Sequence, residues 1–352
     1  MGPRRVKLRL AEVAAQAEVS EATVSRVLND KPGVSEATRA TVLTAIGVLG
    51  FEVPERLRPR AGALVGLITP ELTNPIFPAF AQTIESGLAA RGFTSVLCTQ
   101  TPGGVHEDVY VQMLLDRGVA GIICISGQHA DTGESVARYV TLQQQGVPLV
   151  LVNGYREGVE AAFVASDDAS AMQLAVTHLR ELGHTRIGLA VGPRQYVPVL
   201  EKIAGFEAAM GAGTGAGADG PPLIAVGQFT VEGGAHSTTT LIERGATAII
   251  YASDIMALGG MRQARRMGLC VPRDLSIVGY DDSPLMAFTD PPLTTLRQSV
   301  TEMSEAIVQA LMDGIRGNTD PPPQLVFQSE LVVRGSTARV PSKHLRGVTA
   351  VR

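Results

Sequence analysis

From Leu64 onward, short apolar runs alternate with stretches of helical period, and that alternation restricts the body of the chain to a few folds. LVGLIT, TSVLCT, AGIICIS and PLVLVN each read as a buried strand, separated by helical patterns near 77–91, 105–117 and 134–145. A second set follows: RIGLAVG, PLIAVG, TAIIYAS and LSIVGY, with helices near 169–182, 199–210, 232–244 and 254–267. Strands joined through helices pair in parallel, so two such sets imply two doubly wound α/β subdomains. GAGTGAGADGPP at 211–222 interrupts the second set and reads as a surface loop. With 45% hydrophobic and 18% charged residues in 352, cores of this size can form and wholesale disorder is excluded.

The first fifty residues carry a different period. Leu10, Val13, Ala14 and Ala17 share one helical face, a second helix starting at the N-cap Ser20 buries Val24, Val27 and Leu28, and a third from Ser35 buries Val42, Ala45, Ile46 and Leu49. Helices this short must share one miniature core. The opposite face of the second helix presents Ala22, Ser25, Arg26 and Asn29, with Glu21 beside them. Small polar side chains let a helix backbone approach the DNA major groove while Arg reaches a guanine edge, although a solvated face looks the same. Residues 1–60 hold ten Lys/Arg against seven Asp/Glu, and the remainder twenty against twenty-seven, so a cationic head sits on an acidic body.

The run LAEVAAQAEVSEATVSRVLNDKPGVSEATRATVLTAIGVLGF resembles the helix-turn-helix head of the lactose-repressor (LacI) family of bacterial transcription regulators. The resemblance continues through GLITPELTNPIF, HLRELGHTRIGL, ASDIMALGGMRQARRMGLCVPRDLSIVGYDDSPL, DPPLTTLRQSV and ELVVRGST, nearly the whole chain in family order, and is shared with periplasmic sugar-binding proteins. It implies a small all-α helix-turn-helix head (1–50), a hinge linker (51–63) and an α/β periplasmic-binding-protein-like core (64–352) of two doubly wound subdomains. The N-subdomain is expected to comprise 64–160 and 295–323, and the C-subdomain 161–294 and 324–340, with three crossings between them. The family has Thr or a similar cap where this chain has Arg9, and Gly in the turn where it has Glu18, so an altered turn is expected.

By resemblance, Glu21, Ala22 and Arg26 face bases while Ser20, Thr23, Ser25 and Asn29 hold phosphates. Glu21 reads equally as a first-turn charge favoured by the helix dipole. In the linker, Leu57 flanked by Arg56, Arg58 and Arg60 matches the leucine that wedges into the minor groove, but Pro59 disfavours a helix there and a plain solvated linker fits as well.

Open α/β sheets bind ligands beyond the carboxyl ends of their strands, which singles out Pro70 to Phe77, Asn153, Asp167, Asp168, Ser253, Asp254, Asp281 and Asp282, although polar residues there are also ordinary caps. The resemblance assigns effector contacts to Asn74, Phe77, Lys202 (where the family has Arg), Phe229, Ser253 (where Asn is frequent), Asp281 and Gln298. Carboxylate, amide, cation and ring together suit a sugar; a stacking ring suits a purine or nucleoside too.

The sequence has no phosphate-loop motif, no G-x-S-x-G and no paired His/Cys metal spacing, so no enzyme activity, metal or cofactor is expected. His178 and His184 read as structural. Cys98, Cys124 and Cys270 lie in apolar settings and are expected to be buried thiols. No apolar run approaches the roughly 18 residues of a membrane span, and Glu12, Gln16 and Glu18 interrupt any leader. The expectation is a cytoplasmic homodimeric repressor that binds a palindromic double-stranded DNA operator under control of a small effector, with no membrane partner. A solute-binding protein without a DNA role is the alternative.

Overall fold

The computed structural model describes residues 10–28, 34, 38, 41–42, 45–46, 49, 63–100, 104–211, 222–318 and 324–340. They fall into two compact units, the head and the core.

In the head, α1 (Leu10–Gln16) and α2 (Glu21–Leu28) enclose a core of Val13, Ala14, Ala17, Val24 and Val27. Val42, Ala45 and Ile46, also helical, complete it. The turn between α1 and α2 places Glu18 at φ 53°, so the left-handed conformation is kept without glycine. That arrangement costs on the order of 1 kcal/mol relative to glycine. Ser20 caps α2, its Oγ accepting from the Thr23 backbone N–H at 3.1 Å.

The core is built on two six-stranded sheets. The first holds β1 (Leu64–Thr69), β2 (Thr94–Thr99), β3 (Gly121–Ile125), β4 (Leu149–Val152), β5 (Ala162–Ser166) and β11 (Gln324–Phe327), in the order β11-β5-β4-β3-β1-β2. The second holds β6 (Ile187–Val191), β7 (Leu223–Val226), β8 (Ala248–Tyr251), β9 (Ser276–Asp281), β10 (Thr294–Arg297) and β12 (Glu330–Val332), in the order β12-β10-β9-β8-β6-β7. Pairing runs parallel from β6 and β7 through β10, and β12 is antiparallel to β10. Parallel strands covered on both faces explain why β3, β4, β6 and β8 are buried throughout.

The chain crosses between the sheets three times, but each crossing lies beyond the expected boundary. The segment 162–166, expected in the second subdomain, pairs with β4 and β11 in the first sheet, so the first crossing follows Ser166. Thr295–Arg297, expected in the first subdomain, pairs with β9, so the second crossing follows Arg297. Residues 324–327, expected in the second, pair with β5, so the third follows Phe327. AFVAS and TTLR stay in the sheet of the strand just before them, β4 and β9, while QLVF pairs far back with β5; runs of four or five residues carry no local mark of which sheet receives them.

Cys98 and Cys124 are buried, but Cys270 is exposed, contrary to expectation. It sits in the turn after the helix Asp254–Arg266, where its backbone N–H donates to Asp274 Oδ2 at 2.8 Å. Among the described residues no helix is long and apolar enough to cross a membrane.

Candidate functional site

On α2, Val24 and Val27 turn inward while Glu21, Ala22 and Arg26 are exposed, leaving the candidate base-reading residues together on the outer face. Ser25 and Thr23 are half-buried at its margins. The Ser20 hydroxyl lies 2.9 Å from that of Thr23 as well as capping the helix, so both side chains are ordered before any ligand arrives. Asn29 and Leu57 lie outside the described residues.

In the core, a polar cluster forms beyond the carboxyl ends of the strands. Asp281 closes β9 at φ 115°, a conformation L-residues rarely adopt, and is only 6% exposed. Non-glycine strain of this kind costs roughly 1–3 kcal/mol and is concentrated at functional sites. The Gln298 amide donates to Asp281 Oδ1 at 2.7 Å and is itself held by Ser166, whose hydroxyl donates to Gln298 Oε1 at 2.9 Å. Asp281 Oδ2 is buried and has no hydrogen-bond partner among the described residues. Burial, and next the Asp254 charge, push the Asp281 carboxyl well above the ordinary range, opposed by Gln298, Lys202 and Asn74. Asn74 itself is buried, and Phe77 is half-buried in the first turn of the helix Ile76–Ala89.

Lys202 is buried on the helix Val197–Gly211. Its ammonium lies 2.5 Å from Asp168 Oδ1 and 4.0 Å from the centroid of the Tyr280 ring, whose hydroxyl donates to the same Oδ1 at 2.5 Å. Neither Asp168 as a partner of this cation nor Tyr280 stood out from the sequence. Asp168 was one of several strand-end carboxylates, and Tyr280 offered no signal.

Phe229, after β7, lies against Gly192, where an added Cβ would sit 2.1 Å from the ring. Ser253 is engaged as a helix cap, accepting from the Met256 N–H at 3.3 Å. Asp254 accepts from the Ser283 N–H and the Thr295 hydroxyl, both at 2.7 Å, and burial raises its carboxyl to about 6. Asp281 and Asp282 point apart. Asp282 pairs with Arg297 at 2.7 Å and Arg334 at 2.6 Å, away from the cluster.

A second contact between the halves lies beyond β3 and β6. The Thr132 N–H donates to the Gln195 carbonyl at 2.7 Å, and Asp131 bridges antiparallel to Tyr196. The Arg156 guanidinium braces this loop on the carbonyls of His129, Asp131 and Glu134. His178 bonds Thr337 at 3.0 Å, and His184 lies between Thr247 at 2.9 Å and Ser276 at 3.0 Å, which makes both structural ties.

Comparison with known proteins matches this arrangement. Residues 9–53 fit the family described as bacterial regulatory proteins, lacI family, and 176–337 fit the periplasmic binding protein-like domain. The chain is 56% identical over 340 residues to the HTH-type transcriptional regulator MalR of Streptomyces coelicolor, covering 96% of this chain and 99% of that one. Among solved structures, a transcriptional regulator CelR–cellobiose complex aligns at TM-score 0.69 and 31% identity, covering 94% of this chain and all of its own. The lac repressor dimer bound to operator and the anti-inducer ONPF aligns at TM-score 0.71 and 28% identity, covering 95% and 100%. These relatives are regulators rather than enzymes, and with the helical head and the two sheets they establish that the chain belongs to the LacI family of DNA-binding transcriptional regulators.

Proposed function

We propose that this regulator is a repressor that binds a palindromic operator as a homodimer and releases or tightens on it in response to a sugar held between the two sheets. The single observation that carries the effector reading is the Asp281 carboxylate. One oxygen accepts from Gln298 and the other is buried with no hydrogen-bond partner among the described residues, an open position for a ligand hydroxyl. Gln298 stands at the second crossing and is tied to Ser166 at the first, so a ligand on Asp281 engages the segments that join the halves. Phe229 supplies an apolar ring for a sugar face. The cellobiose-bound neighbour supports the same class.

On the head, Arg26 reads a guanine edge, Ala22 packs on a thymine methyl, and Ser20, Thr23 and Ser25 position the helix on phosphates. A ligand shifts DNA affinity only through different affinities for the competent and incompetent states. The test selects operator sequences from genomic fragments with the full chain. Neutral mono- and disaccharides, purines and nucleosides are then titrated into thermal-shift and mobility-shift assays. A sugar that raises Tm and changes operator affinity is the expected result. Response to a purine or nucleoside alone overturns the sugar reading, and response to no ligand overturns the cleft.

A further inference from the structure

We propose that Asp168 is a specificity-determining residue that restricts the cleft to neutral, hydroxyl-rich effectors and excludes phosphorylated or carboxylated ones. The inference rests on the reading of the cleft as the effector site and adds the charge of what enters it.

Lys202 is the one buried lysine or arginine among the described residues, and it is the cation assigned to grip an effector. Its charge is already balanced by Asp168 at 2.5 Å, and its ammonium faces the Tyr280 ring at 4.0 Å. The Tyr280 hydroxyl, donating to the same Asp168 oxygen, fixes the carboxylate in place. Around this closed pair stand two further buried carboxyl groups, Asp281 and Asp254. Asp281 Oδ2 has no hydrogen-bond partner among the described residues.

An anionic group brought to this cluster finds no uncommitted buried cation. To recruit Lys202 it must draw the ammonium from Asp168, leaving a buried carboxylate without its counter-charge, the costly half of breaking a buried ion pair. A neutral hydroxyl meets no such penalty and hydrogen-bonds to the open Asp281 oxygen. The nearby cation therefore orders Asp168 and Tyr280 and is closed to anions.

The test uses the full chain and matched ligand pairs by calorimetric titration: ribose with ribose 5-phosphate, glucose with glucose 6-phosphate, and cellobiose with cellobionate. Inorganic phosphate serves as a bare anion. Wild type should bind the neutral member of any responsive pair at least 100-fold more tightly. Asp168→Asn keeps an oxygen for Lys202 and Tyr280 but removes the charge. It should narrow the neutral-to-anionic ratio by 10-fold or more and raise affinity for phosphate. Asp168→Glu, which disturbs packing but keeps the charge, should retain the neutral preference, so a purely structural role moves both variants alike and leaves the ratio unchanged. If sugars bind but Asp168→Asn leaves the ratio unaltered, or wild type prefers the anionic partner, this inference is overturned while the cleft stands. If no member of any pair binds, the cleft reading falls and takes this one with it. Should Asp168→Asn fail to melt as a folded protein, the ratio in Asp168→Ser decides. That variant too leaves Lys202 without its counter-charge, and retention of the full wild-type ratio sinks the idea.

Discussion

Acidification should weaken the core in part through His129, by about the amount its lowered pKa implies. His129 is fully buried beside β3, with its Nε2 3.0 Å from the Val152 carbonyl. A carbonyl only accepts, so Nε2 carries the proton and Nδ1 is bare; among the described residues Nδ1 has no hydrogen-bond partner. Burial drives the imidazole from 6.5 down to about 4, against the pull of the Glu107 carboxylate. The folded value lies below the unfolded one, so between these limits the unfolded chain binds more protons. The stability from neutral His129 is therefore complete above pH 6.5 and is lost as pH falls through 4. At about 1.4 kcal/mol per unit, moving from pH 7 to pH 5 removes about 2 kcal/mol, and the loss reaches about 3 kcal/mol near pH 4. At roughly 2–4 °C per kcal/mol for a domain of this size, the pH 5 loss lowers Tm by about 4–8 °C. His129→Gln keeps an N–H for Val152 but cannot titrate, and other acid-sensitive groups are common to both proteins. Melting the two side by side at pH 7, 6, 5 and 4 isolates the histidine. Parallel Tm profiles for wild type and variant would refute the reasoning.

Arg26→Ala leaves the head's core untouched, so its melting should not change. Operator affinity should fall by about 1–3 kcal/mol, with discrimination relaxed at one base pair. An equal loss on every sequence, with a shallower salt dependence, would make Arg26 a phosphate contact instead. Asp281→Asn should abolish the thermal shift and the operator response to a neutral sugar while preserving operator affinity without it. A sugar response of normal size in the variant removes Asp281 from the site. Gly192→Ala places a Cβ 2.1 Å from Phe229 Cε2, so the ring must retreat by more than 1 Å to reach ordinary contact. The effector Kd should rise by roughly 2- to 10-fold, the worth of a stacked ring, and the double variant with Phe229→Ala should weaken no further. Additive losses in that cycle would show that Gly192 and the ring act separately.

The alternation of strand and helix, the miniature core of the head and the outward face of α2 were all legible in the sequence, because each is written in local period and composition. Glu18 shows the limit: the absence of glycine there was read as an altered turn, whereas the backbone keeps the left-handed turn with a residue poorly suited to it. The sheet membership of residues 162–166, 295–297 and 324–327 was not legible, since a run of three to five residues carries no local mark of which sheet it joins, and 324–327 pair only with a strand some 160 residues back. At the site, Asp281 and Gln298 were reached through family resemblance, and the structure joins them directly. Lys202 shows the opposite case. The residue was identified, but its engagement with Asp168 depends on the helix Asp168–Glu181 packing against Val197–Gly211, which no local pattern records. Ser253 likewise proved to be an engaged cap, the alternative that any strand-end serine offers.

The three crossings all leave from one margin of the paired sheets, where β5 and β11 face β10 and β12 in the strand orders. A door pinned at three points along one jamb can swing but not slide. From that jamb to β1 is about three to four strand spacings, roughly 14–19 Å at 4.8 Å each. A swing of about 10° therefore displaces the outer lip by about 3 Å, the length of one hydrogen bond, while groups near the pins barely move. The Thr132–Gln195 contact follows β3 and β6, two to three strands from the pins, whereas Gln298 stands at the second crossing. A modest rotation would thus strain the former far more than the latter, letting the two halves part with the base of the cleft kept in register.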